Sequence, residues 1–225
     1  MIISISGLDG AGKTTQINKL LQYFDKINYQ TTSIYHYTDD IRYHQCNDLK
    51  KFYNYFVSNE VIHTRFRMNS DENNYFMNII EYSNFDNFFL AEATALQGYY
   101  DAIQMDKYIN KPLIDMNKTL IYDRYFYDEI AFKSIFGSSY KRMIKMYHDF
   151  REPDYKFYIR VSPQVIYKRN QVRKDSTTTI YQDIFLITKL SNYFEMIAKE
   201  FGLIIIDGEK SPEKIHQIIL NYIKG

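Results

Sequence analysis

At 225 residues the chain suits a single domain with room for an insertion and a sizeable core. Its hydrophobic fraction of 45% and charged fraction of 24% are ordinary for a globular protein, and a net charge of +1 supplies no global field toward nucleic acid or an anionic membrane. No apolar run nears the ~20 residues of a bilayer span, the N-terminus lacks the basic region of a secretory signal, and the one cysteine, Cys46, cannot close an internal disulfide. A cytoplasmic protein, partnered by neither nucleic acid nor membrane, is expected.

The first predicted element is a buried strand over Ile2–Ser6, apolar and bounded by glycine. Directly after it stand Gly7, Leu8, Asp9, Gly10, Ala11, Gly12, Lys13 and Thr14. They fit G-x-x-x-x-G-K-[ST], the loop that cradles phosphates. Glycines let successive N–H groups turn inward onto phosphate oxygens. Lys13 is expected to reach the β- and γ-phosphates, and the Thr14 hydroxyl to ligate Mg²⁺. With Thr15, residues 7–15 are the predicted nucleotide-binding set. A helix follows, because Ile17, Leu20, Leu21 and Phe24 make one apolar stripe at i, i+3, i+4 and i+7.

A second strand is predicted at 32–37, and residues 38–90, polar and aromatic with weak periodicity, as a mostly helical insertion. The third strand, 119–122, leads into Asp123, Arg124 and Tyr125. Ligands of parallel sheets sit beyond the carboxyl ends of the strands, so Asp123 is a candidate Mg²⁺ ligand or proton acceptor. Arg124 is a candidate phosphoryl clamp. A fourth strand at 156–161 precedes a helix opened by Ser162 and Pro163. On it Arg169 and Arg173 lie four apart and are expected on one face, neutralising the migrating phosphoryl group. The polar stretch 175–179 is the predicted tip of a lid. A fifth strand at 203–206 and a last helix close the chain. That helix is capped by Ser211 and Pro212 and striped by Ile215, Ile218, Ile219 and Tyr222. Alternating strands and helices predict an α/β fold, a parallel sheet with helices on both faces. The 23 tyrosines run through the whole chain and read as compositional bias. His36, His44, His63, His148 and His216 show no metal-ligand spacing.

Together these segments resemble the thymidylate kinase family of nucleoside monophosphate kinases. The matching residues are Gly-Leu-Asp-Gly-Ala-Gly-Lys-Thr-Thr at 7–15, Asp-Arg-Tyr at 123–125, Pro163 with Arg169 and Arg173, and Asp207 with Ser211-Pro212-Glu213. The resemblance implies the P-loop NTPase fold with a five-stranded sheet, an ATP donor, Mg²⁺ and often a homodimer. It implies one kinase domain over 1–225, with a helical acceptor-side region at about 38–115 and a lid at about 162–180. Asp9 would meet the acceptor's sugar hydroxyl, and Arg124 and the lid arginines would supply catalytic charge that Gly10 does not.

The acceptor side departs from the family. Tyr37-Thr38-Asp39-Asp40 replaces Arg-Glu-Pro-Gly-Gly-Thr. Residues 90–95 carry Glu92 where a base-reading arginine is expected. Asp128, Glu129 and Phe132 replace a small hydroxyl residue, an amide and a tyrosine. The candidate acceptor-binding residues are therefore Asp9, Phe89, Glu92, Tyr125, Asp128 and Glu129. The three new acids would repel a monophosphate but could accept from hydroxyls or a base amine. The expected activity is transfer of the γ-phosphoryl of Mg-ATP to a nucleotide or nucleoside acceptor, and the changed acceptor side puts thymidylate itself in doubt. A kinase of a non-nucleotide hydroxyl is the alternative. A guanine-nucleotide switch fits less well, because Asn110-Lys111-Pro112-Leu113 lacks the aspartate of its base-reading motif.

Overall fold

Six parallel strands form one sheet in the order β2-β3-β4-β1-β5-β6 in the computed structural model of the chain. The described residues are 1–29, 31–33, 61–65, 87–172 and 179–224, with the backbone alone for 31–33, 61–65, 87–90 and scattered positions nearby. The strands are β1 (Ile2–Ser6), β2 (Thr31–Ser33), β3 (Val61–Arg65), β4 (Thr119–Asp123), β5 (Tyr155–Arg160) and β6 (Ile204–Asp207). The helices are α1 (Lys13–Lys26), α2 (Asn87–Met105), α3 (Lys111–Asp115), α4 (Phe126–Ile135), α5 (Tyr140–Tyr147), α6 (Pro163–Val172), α7 (Ile184–Phe201) and α8 (Pro212–Lys224).

Every residue of β1 and β4 is buried, as befits strands covered on both faces. Successive side chains of β5 point to opposite layers. Phe157 meets Tyr222 of α8 edge-on, while Tyr158 stacks on Phe194 of α7 with centroids 5.4 Å apart. Helices α1 and α8 cover the first face, and α4 and α7 pack together on the other. Of the α1 stripe, Ile17, Leu20 and Phe24 are buried as the periodicity predicts. In α8 the stripe ends differently: Leu220 is buried and Tyr222 is 49% exposed. Some of the tyrosines prove to be core material. Tyr122, Tyr125, Tyr127, Tyr147, Tyr158 and Tyr181 are among the largest fully buried side chains.

The predicted sheet was one strand short. Val61–Arg65 pairs in parallel with β2 and with β4, Val61 opposite Thr119 and Arg65 opposite Asp123. It lies inside the stretch expected to be mostly helical. Its Val-Ile-His-Thr-Arg sequence offers only two apolar residues, too few for a periodic signal. Residues 34–37 of the predicted second strand lie outside the described residues. Among those described, no helix is long and apolar enough to cross a membrane.

The registers place the site. Ile5 of β1 sits opposite Asp123 of β4, and Ser6 opposite Tyr158 of β5. The chain leaves β1 toward one edge, and β5 returns on the other side of it. That reversal beside β1 opens a crevice at the carboxyl ends of the strands.

Candidate active site

The loop from Gly7 to Gly12 turns back over the end of β1, with positive φ at Gly7 (142°), Gly10 (85°) and Gly12 (96°). At Gly7 the requirement is double, because an added Cβ would stand 2.8 Å from the Ile159 carbonyl oxygen. Gly12 caps α1 in the left-handed conformation without a side-chain hydrogen bond, and the first turn holds no acidic residue. The free N–H groups and positive dipole end of the helix are thus left for an anion.

Lys13 is 6% exposed. Its Nζ donates to the carbonyls of Gly7 and Leu8, each at 2.9 Å, and lies 3.5 Å from Asp9 Oδ1. Burial first, and then the Arg124 charge, lower its pKa below the ordinary lysine value. The Thr14 hydroxyl donates to Asp123 Oδ2 at 3.5 Å. A hydroxyl facing a carboxylate beside a phosphate loop is the oxygen set Mg²⁺ takes together with substrate phosphates. Among the described residues no group of three or more His, Cys, Asp or Glu forms a metal site.

Arg124 has φ 73°, a left-handed conformation that costs a residue with a Cβ about 1 kcal/mol. Its N–H extends the β1 ladder by donating to Ile5 O at 3.0 Å. Its guanidinium pairs with Asp9, lies 3.5 Å from Asp128 Oδ1 and sits over the Phe132 ring at 5.3 Å. Burial opposes that charge, yet Asp9 and Asp128 raise its pKa. Arg169 of α6 donates to Gly10 O at 3.0 Å and Gly208 O at 3.4 Å, joining the phosphate loop to the turn after β6. The structure therefore brings Asp9, Lys13, Thr14, Asp123, Arg124 and Arg169 to one loop. Arg173 lies outside the described residues, as does the side chain of Phe89.

Three candidate acceptor-binding residues are committed elsewhere. Asp128 is 2% exposed and accepts from the N–H groups of Gly7 (3.4 Å) and Tyr125 (3.2 Å). It caps α4 and holds the phosphate loop to it, and burial pushes its carboxyl pKa up against the pull of Arg124 and Lys13. Glu92 is 7% exposed, accepts from the Ser139 N–H at the start of α5 at 2.8 Å and pairs with Arg142. Tyr125 is buried among Tyr122, Phe126, Tyr127 and Phe150, and its hydroxyl donates to Arg151 O at 2.9 Å. None of the three presents a free polar edge to a ligand. The predicted cap Ser162 also differs, its hydroxyl donating to Glu209 at 2.6 Å, whereas Ser211 accepts from Lys214 N as a cap should.

Two residues not singled out in the sequence grip the loop. Asn170 Nδ2 donates to Asp9 O at 2.9 Å, and the Tyr181 hydroxyl accepts from Asp9 N at 3.0 Å. Asn170 neighbours Arg169 on a helix aimed at the loop, which was a usable signal. Tyr181, one tyrosine of 23, carried none.

A parallel sheet whose first strand ends in a glycine loop, with a lysine, a hydroxyl–carboxylate pair and arginines gathered around it, defines a P-loop phosphotransferase. A statistical model of the family described as thymidylate kinase matches residues 45–219. The chain belongs to the thymidylate kinase family, whose members are nucleotide kinases. It is 26% identical over 227 residues to a probable thymidylate kinase of Methanocaldococcus jannaschii, covering 100% of this chain and 96% of that one. It is 23% identical over 223 residues to a probable thymidylate kinase of Methanosphaera stadtmanae, covering 99% and 97%. A thymidylate kinase of Leptospira interrogans is 28% identical over 120 residues, 51% of this chain and 58% of that one.

Proposed function

We propose that the chain transfers the γ-phosphoryl group of Mg-ATP to the phosphate of a nucleoside monophosphate. The observation that carries this is the convergence of Lys13, Thr14, Asp123, Arg124 and Arg169 on the phosphate loop. The acceptor's phosphate oxygen attacks the γ-phosphorus, the bond from that phosphorus to the β–γ bridging oxygen breaks, and ADP leaves. Thr14 and Asp123 would hold Mg²⁺, which supplies positive charge beside the phosphate oxygens. The loop amides and the start of α1 bind the β-phosphate. Lys13 exchanges its two carbonyl partners for phosphate oxygens. Arg124, anchored by Asp9 and Asp128, faces the incoming group. Arg169 closes the loop from the α6 side. The work is positioning and charge neutralisation.

The case for a hydroxyl acceptor rested on three acids repelling a monophosphate. Two of them, Glu92 and Asp128, are bonded within the protein, so that repulsion largely lapses and the monophosphate reading gains. A hydroxyl acceptor would be recognised by turnover of nucleosides but not of their monophosphates. The family resemblance further supports a cytoplasmic homodimer of single-domain subunits, which sedimentation at micromolar concentration addresses.

Lys13→Ala and Arg124→Ala test the roles. Each should lower kcat by about 100-fold or more, Lys13→Ala with weakened Mg-ATP binding. Full turnover by either folded variant contradicts the assignment.

A further inference from the structure

Two cations of the site, Lys13 and Arg124, meet one carboxylate oxygen. Lys13 Nζ lies 3.5 Å from Asp9 Oδ1, and the Arg124 guanidinium pairs with the same atom. Where that oxygen stands depends on the Asp9 main chain, and both polar groups of that main chain are held from a distant part of the sequence. The Asp9 N–H donates to the Tyr181 hydroxyl at 3.0 Å, and Asn170 Nδ2 donates to the Asp9 carbonyl at 2.9 Å. Both side chains are themselves fixed. Asn170 is buried and donates as well to Ile166 O, 3.0 Å away in its own helix. A Cβ added at Gly10 would stand 3.0 Å from the same Asn170 nitrogen, so amide and loop are in close contact. Tyr181 is buried. Its burial first, and then the Asp9 charge, raise its pKa, which keeps the hydroxyl protonated. The Asp9 N–H is thus spent within the protein rather than on a phosphate.

We propose that Asn170 and Tyr181 are positioning residues for phosphoryl transfer: by fixing the Asp9 main chain they set the carboxylate that aims Arg124 and Lys13. This rests on the nucleotide-kinase reading above. Neither residue needs to touch a substrate. A displaced Asp9 would carry both cations with it, and catalysis by positioning is sensitive to shifts on the order of 1 Å. Packing alone would not call for these two side chains. A ring buried only to fill space could be phenylalanine, whereas the Tyr181 hydroxyl takes a main-chain N–H, and the Asn170 amide gives one hydrogen bond to its own helix and one to the loop.

The test is a double-mutant cycle on the full chain, with Mg-ATP and whichever common ribo- or deoxyribonucleoside monophosphate the natural chain turns over fastest. Tyr181→Phe keeps the ring and removes the hydroxyl. Measured well below its melting temperature, its kcat should fall about tenfold, with the KM for ATP changed less than kcat. Asp9→Asn keeps the main chain and removes the charge. In that background Tyr181→Phe should cost little further, because the carboxylate through which it acts is gone. A folded Tyr181→Phe with the natural kcat overturns the proposal, even if its melting temperature is lowered. An equal loss in both backgrounds overturns it too, as the mark of a role that does not pass through Asp9. If Tyr181→Phe does not fold, Asn170→Ala takes its place in the cycle with the same expectations. A natural chain that turns over a monophosphate no faster than the variants do remains a nucleotide kinase and loses only this inference. A natural chain that turns over none loses the kinase reading, and this role with it.

Discussion

Lys13 shows how a single side chain is held ready. Its ammonium is buried and donates to the Gly7 and Leu8 carbonyls. Burial and the neighbouring Arg124 make its proton easier to lose than that of an exposed lysine. The sign of the consequence follows. As pH rises, Lys13 becomes neutral earlier than ordinary lysine, and a neutral amine lacks the charge that phosphate oxygens need. Mg-ATP affinity should therefore fall along an alkaline limb displaced below the usual lysine range. In Lys13→Arg, whose guanidinium stays charged, the limb should vanish whatever the absolute affinity. Calorimetric titration from neutral to alkaline pH checks this, and a flat profile for the natural chain contradicts it. The glycine spacing and Lys13 were legible in the sequence because that chemistry is local. The commitments of Glu92, Asp128 and Tyr125 were not, because each is decided by a partner distant in sequence: Ser139, Gly7 and Arg151.

The junction from β4 into α4 is the element on which the site turns. Arg124 leaves the strand in a left-handed conformation, and Asp128 gathers Gly7 N, Tyr125 N and the Arg124 guanidinium beneath the phosphate loop. Asp128→Ala removes the acceptor from two buried amides and one partner from a buried cation. The expected loss is about 3 kcal/mol, roughly 10 °C in Tm for a chain of this size, read in a thermal melt. An unchanged melt would mean that the carboxylate holds nothing together. A second pair of elements works on the loop from the other side. Asn170 on α6 and Tyr181 in the 3₁₀ turn Thr179–Gln182 hold the carbonyl and the N–H of Asp9. Helices α1 and α8 were readable from 3.6-residue periodicity, and β1 and β4 from apolar runs between turn residues. Strand β3 was not, since its place in the sheet is fixed by pairing with β2 and β4 rather than by its own sequence.

The whole molecule follows from one topological fact. A parallel sheet covered on both faces has its reversal beside β1, and that is where the glycine loop emerges with Asp123 one strand away. The junction from β4 into α4, with Arg124 and Asp128, and helix α6, with Arg169, bring their charges to the phosphate loop. That arrangement underlies the kinase reading of a chain that belongs to the thymidylate kinase family. Of the acids expected on the acceptor side, Glu92 and Asp128 are turned to internal bonding. Following the label of γ-³²P-ATP in a mixture of the folded chain, Mg²⁺ and nucleoside monophosphates tests the central claim most directly. The account predicts label in a nucleoside diphosphate; label that stays on ATP or appears only as inorganic phosphate contradicts it.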